Sequence, residues 1–153
     1  MANDKIQKYM PYIQRLRLID DTFFHCCFKD SPECMELLLR IVIKRPKLKV
    51  KRVTTQEQVP NIYGREVIFD VFAEDADGKN YDVEVQRSPE GAAPLRARYN
   101  SSMLDTMSVE KGVKWHDLNE IKVIFLTETD VLGGGLPIYH IRRTIKELNK
   151  HSV

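Results

Sequence analysis

The chain has no C-x-x-C pair and only three cysteines among its 153 residues, two of them the neighbours Cys26 and Cys27. That number and spacing give no disulfide framework and fit a reducing compartment. No apolar run approaches the ~18 residues needed to span a bilayer, and Met1 to Met10 hold no apolar signal core. These absences predict a cytoplasmic protein without a membrane partner. Net charge is also scarce: 24 Lys and Arg against 22 Asp and Glu leave a formal +2, so no strong overall field announces a polyanion. Gly133 to Gly135 lack the Gly-Lys-Ser/Thr ending of a phosphate loop. Repeats, heptads and low-complexity tracts are absent. His25 with Cys26, Cys27 and Cys34 fits no paired zinc-ligand spacing, and the cysteines read as core residues.

What is present is an ordinary globular composition of single-domain length. The expected domain is a single one over residues 1–153. Tyr9, Pro11 and Tyr12 interrupt any early helix. From Asp20 a short helix carries Phe23, Phe24, Cys27 and Phe28 as buried bulk, and Asp20 or Asp21 caps its start. Ser31-Pro32-Glu33 opens a second helix with a core stripe of Met35, Leu38, Leu39 and Val42, ended by Pro46. Lys44, Arg45, Lys47, Lys49, Lys51 and Arg52 crowd nine positions. Leu48, Val50 and Val53 alternate with these charges, as in a half-buried edge strand. Its lysines are either a solvated edge or a stripe that tracks phosphates.

Later, Pro94 starts a helix with the stripe Leu95, Tyr99, Ser102, Met103, Thr106 and Val109, reaching about Lys111 before Gly112. Ile121 to Leu126 is a near-continuous apolar strand, reached through that helix in the crossover that parallel pairing requires. Leu136 to Ile141 adds a short strand and Arg142 to Lys150 a closing helix. Glu128, Asp130 and His116 are loop residues with no assigned role. The sum is an α/β fold, a mixed central sheet of four to five strands flanked by helices.

The centre of this plan is a hairpin, with alternating runs Glu66 to Asp75 and Lys79 to Arg87 around Ala76-Asp77-Gly78. A two-residue turn would set Asp70 against Val85 and send Asp70 and Glu84 to different faces. A three-residue loop with Gly78 in the left-handed position pairs Asp75 with Lys79 and sets Asp70 opposite Glu84. The second register gathers Phe69, Val71, Ala73, Val83 and Val85 on one face. Asp70, Asp82, Glu84 and Gln86 share the other with Ile68 and Phe72. Directly opposed acids repel. Either they form a solvated acidic face, or a divalent cation with hard oxygen ligands offsets the repulsion.

The segments FDVFAEDADGKNYDVEVQR, PLRARYNSSMLD and NEIKVIFLTETDVLGGGLPIYHIRR resemble the PD-(D/E)XK nuclease superfamily, in its transposase-like branch related to recombination-promoting nucleases. The likeness spans about Asp20 to Arg143. It implies a restriction-endonuclease-like core and a metal-dependent DNA endonuclease. Asp70 and Glu84 would be the motif acids, and the Val85 carbonyl a further metal ligand. Gln86 stands at the motif Lys, where it can orient water but brings no positive charge. Asp21 resembles the branch's helix acid. Arg96-Ala97-Arg98-Tyr99 resembles its basic motif, and one of the two arginines, some 200° apart around the helix, would face the cleft. The implied ion is Mg²⁺, with Mn²⁺ as the alternative, and the implied partner is DNA, contacted by Arg96, Arg98, Lys47 and Lys49. A homodimer remains open. The alternative function is a DNA-binding module with weak or no cleavage.

Overall fold

A computed structural model describes residues 2–109, 112–148 and 150–151. Helices α1 (Ala2–Ile13), α2 (Asp21–Phe28) and α3 (Pro32–Ile43) precede strands β1 (Val50–Val59), β2 (Val67–Asp75) and β3 (Asn80–Gln86). A 3₁₀ turn, Pro89–Ala92, leads into α4 (Pro94–Ser108), and β4 (Ile121–Thr127) follows. The sheet order is β1-β2-β3-β4, with the first two pairings antiparallel and β3-β4 parallel. The α/β core therefore has a four-strand mixed sheet with helices on both faces. A two-stranded ribbon, β5 (Thr144–Ile145) and β6 (Lys150–His151), lies beyond it.

The hairpin adopts the three-residue loop. Val71 pairs with Val83 and Phe72 with Asp82, a register that carries Asp70 opposite Glu84. The Asp75 amide donates to the Lys79 carbonyl, and Gly78 has φ +80, a value an L side chain resists. Asp75 locks the turn: one carboxylate oxygen accepts the Asp77 and Lys79 amides at 2.9 Å each, and the other accepts the Tyr81 hydroxyl at 2.7 Å.

Two cores form, one on each face. Toward α2 and α3, Phe24, Phe28, Met35 and Leu39 bury against Val71, Ala73, Val83 and Val85. Each such side chain contributes roughly 1.5–3 kcal/mol on leaving water. Toward α4, Val59, Val67, Phe69 and Phe72 pack on Met103 and Leu104. Phe69 thus shares a face with Phe72 and not, as strict alternation predicts, with Val71. The break falls at Asp70, where the β1 partner position is Gln56, skipped in the ladder and held at φ +55. The register is the same on both sides of this point, so it is not an inserted-residue bulge.

Several predicted elements differ. A helix runs through Tyr9, Pro11 and Tyr12; Pro11 falls in its last turn, where the missing N–H costs only one intrahelical bond. On α4 the buried residues are Asn100, Met103 and Leu104 while Leu95 is exposed, because the helix turns a face slightly rotated from the apolar stripe toward the sheet. This helix ends at Ser108, and Lys111 lies outside the described residues. Residues 136–141 form no strand, and β5, a 3₁₀ turn at Lys146–Leu148 and β6 occupy the stretch where a closing helix was expected. Residues 141–147 are exposed, so no core contact rewards a helix there. Cys26 and Cys34 are exposed; Cys27 alone packs on the core, and burial pushes its thiol pKa up. Among the described residues, no helix is long and apolar enough to cross a membrane.

Candidate active site

β2 and β3 diverge just beyond the Val71–Val83 pair, and there side chains take over the backbone bonds. The Val85 amide donates to Asp70 Oδ2 at 2.9 Å, and the Asp70 amide donates to Glu84 Oε1 at 3.3 Å. Each acid is thereby fixed by the strand that carries the other. Glu84 is completely buried and faces α4, where Arg96 Nη2 donates to its Oε2. Gln86 Nε2 reaches the same oxygen at 3.3 Å.

The 3₁₀ turn supports this arrangement. The Gly91 carbonyl accepts Arg96 Nη1 at 3.0 Å, and a Cβ on Gly91 would sit 2.0 Å from Gln86 Oε1. Glycine leaves room there for the end of the Gln86 side chain, which lies against its Cα. Arg96 also stacks over Phe125 of β4, 5.6 Å from the ring centroid.

Asp82, two residues before Glu84, is also completely buried. Its Oδ2 accepts the Asn100 amide at 2.8 Å, and the carboxyl interacts with the neighbouring Glu84. Burial, reinforced by the nearby Glu84 charge, pushes the Asp82 carboxyl well up from its ordinary range. Burial also raises Glu84, with Asp70 adding to the rise and Arg96 opposing it. For Asp70 burial again leads, the Asp21 charge adds to it, and the Val85 amide, His25 and Arg96 pull the other way.

On the opposite side of Asp70 lies α2. One donor atom each from Asp21, His25 and Asp70 lie within 4.8 Å of one another. His25 Nδ1 is 3.9 Å from Asp21, and its buried Nε2 has no hydrogen-bond partner. Neighbouring carboxyls with raised pKa values and an oxygen-rich donor set joined by His25 fit a divalent cation.

The sequence-predicted residues thus divide. Asp70, Glu84, Gln86, Arg96 and Asp21 collect at one end of the hairpin, and Val85 joins them through its amide. Arg96 faces the carboxylates; Arg98 is exposed, and two serine hydroxyls donate to its carbonyl. Lys47 and Lys49 sit at the other end, beside Asp75 and Asp77 in a cleft of about 500 Å³. Lys49 reaches Glu36 at 3.3 Å. Five residues of β2 separate that end from Asp70, roughly 16 Å along the strand. Glu128 turns from the cleft to Arg17 and Arg87.

Two further residues at the site, Asp82 and His25, carry no assigned role in the sequence, Asp82 standing on the acidic face and His25 matching no zinc-ligand spacing. Asp82 has a signal in the Asp-x-Glu-x-Gln alternation of β3. His25 has only its i, i+4 spacing from Asp21, which means little until α2 is placed against Asp70.

A mixed four-strand sheet with helices on both faces and an acid pair at the diverging end of its central hairpin is the restriction-endonuclease-like class of α/β fold. A family model described as PD-(D/E)XK nuclease family transposase matches residues 30–151, and the chain belongs to that family. The match begins after α2, so Asp21 and His25 lie outside it. No curated protein and no solved structure gives a significant match.

Proposed function

We propose that this protein is a Mg²⁺-dependent DNA endonuclease of the transposase or recombination-associated type, hydrolysing phosphodiester bonds, with Mn²⁺ able to replace Mg²⁺. The observation that carries the reading is the reciprocal fixing of Asp70 and Glu84 across the end of the hairpin. Such an arrangement costs free energy in repulsion and desolvation, and a cation site accounts for it. Asp70 and Glu84, with the Val85 carbonyl, would hold the ion, and Asp21 would extend the site. Bound there, the ion supplies Lewis-acid neutralisation of phosphate charge and a more acidic water.

The chain's own residues do the positioning. The Gln86 carboxamide orients the attacking water through its oxygen and amide, and carries no charge of its own. Arg96, anchored at Gly91 and over Phe125, is placed to grip a phosphate oxygen beside the cleft when it releases Glu84. Arg98, Lys47 and Lys49 would contact the DNA backbone away from the cut, the two lysines near the hairpin turn. No covalent enzyme intermediate is needed.

Asp70→Ala tests this. It should abolish Mg²⁺-dependent nicking of supercoiled plasmid while circular dichroism stays native; nicking at the wild-type rate in a clean preparation would refute the assignment. The competing reading is a DNA-binding module that has lost efficient cleavage. It is favoured by one observation, Gln86 at the motif Lys position with its amide directed to Glu84. Salt-sensitive DNA binding with no cleavage in either Mg²⁺ or Mn²⁺ would select it.

A further inference from the structure

We infer that Asp21, His25 and Asp70 form a mixed nitrogen and oxygen site for a borderline divalent transition ion of the Co²⁺ and Zn²⁺ class, adjoining the Glu84 carboxylate and sharing Asp70 with it. The inference rests on the nuclease reading for its purpose but on independent residues for its geometry. Positions 21 and 25 share one face of α2. Asp70, across β1 from Gln56 with its φ of +55, supplies the third donor to that face.

The donor atoms lie within 4.8 Å of one another. Metal bonds of about 2.0–2.2 Å would draw them to roughly 3–4 Å apart, a movement within reach of side-chain rotation. Two carboxylates match the charge of one divalent ion. Asp21 is largely solvent-exposed and gives an entry path. His25 is mostly enclosed, and among the described residues its buried Nε2 has no hydrogen-bond partner, while Asp21 at 3.9 Å lies beyond hydrogen-bonding distance of its Nδ1. This ring makes little sense as a surface polar group, and it accounts for the ion class. Mg²⁺ and Ca²⁺ prefer oxygen donors, whereas an imidazole shifts preference toward transition ions. Arg96 occupies Glu84 and leaves these three residues as the more open donors.

The test is direct metal binding to the full chain after chelator treatment, with Co²⁺ and Mg²⁺ titrated separately. Calorimetry gives affinities, and the visible Co²⁺ spectrum reports nitrogen ligation. The wild type should bind Co²⁺ at least about tenfold more tightly than Mg²⁺, and His25→Ala should weaken Co²⁺ about tenfold while moving Mg²⁺ less than about threefold. Equal Co²⁺ affinity in wild type and His25→Ala would overturn the inference, as would equal affinity for the two ions in the wild type. Should His25→Ala fail to fold, wild-type NMR decides: substoichiometric Mn²⁺ should broaden the His25 ring signals before those of His116 and His140, and failure to do so overturns the site. Nicking by Asp70→Ala is scored separately. Loss of nicking with unchanged metal selectivity in His25→Ala sinks this inference alone. His25-dependent Co²⁺ binding with undiminished nicking in Asp70→Ala sinks the nuclease reading alone.

Discussion

Three acids at one hairpin end, the buried Asp82 and Glu84 and the half-buried Asp70, dominate the chemistry at the residue scale. Their ordinary values are 3.8, 3.8 and 4.5, and all three are raised in the folded chain. A raised folded pKa means the native state holds more protons than the unfolded one, so stability falls as pH climbs through the raised values. Glu36, Glu120 and Glu128 shift the opposite way, Glu120 down to about 2 beside Lys122 and Lys79. Their stabilisation is lost only at pH values below about 4.5. Above the ordinary carboxylate range the raised acids therefore make stability fall with rising pH. Thermal melting without divalent ions should give a higher Tm at pH 5.5 than at pH 8, and Asp82→Asn should shrink that difference. The same raised acids are what a bound cation would relieve.

At the element scale, the turn Pro89–Ala92 governs how β3 and α4 present their groups to the site. Gly91 holds Arg96 by its carbonyl and leaves room for Gln86 by lacking a side chain. Gly91→Ala would force the end of Gln86 aside. Because that end is flexible, stability should change by less than about 1 kcal/mol, while metal-dependent nicking should fall by about tenfold or more. Parallel measurement of melting and nicking rate checks both. The face Asp70 takes on β2 matters in the same way, because with Phe72 on the α4 side it would lose α2.

For the whole molecule, a site that exists only when α2, β2 and β3 are assembled links ion binding to folding. A divalent ion at a hundred times its dissociation constant stabilises the native state by about 2.7 kcal/mol. For a chain of this size that corresponds to a Tm rise of roughly 5–10 °C, which differential scanning fluorimetry with and without Mg²⁺ will register. Lys47 and Lys49 lie far from the acids. If both contact phosphates, the double substitution to alanine should weaken DNA binding equally across sequences and lower the log–log salt slope by nearly 2, with cleavage of bound DNA unchanged.

Local chemistry determined much of this protein by itself. Asp75, Gly78 and Lys79 allow a three-residue loop, and in that register the strand positions of Asp70 and Glu84 lie across from each other, although the face each side chain takes is settled elsewhere. The α3 stripe and the apolar run of β4 likewise carry their own periodicity, so a helix covering the sheet and a parallel crossover were both legible. Tertiary structure decided the rest. Which of Arg96 and Arg98 faces the cleft depends on the rotation of α4, and that is set by the packing of Met103 and Leu104. Phe69 and Asp70 leave their expected faces where they lie across from Gln56, a residue of another strand with φ +55. His25 gains meaning only when α2 docks beside Asp70, since burial and distance between remote segments are not properties of either segment alone.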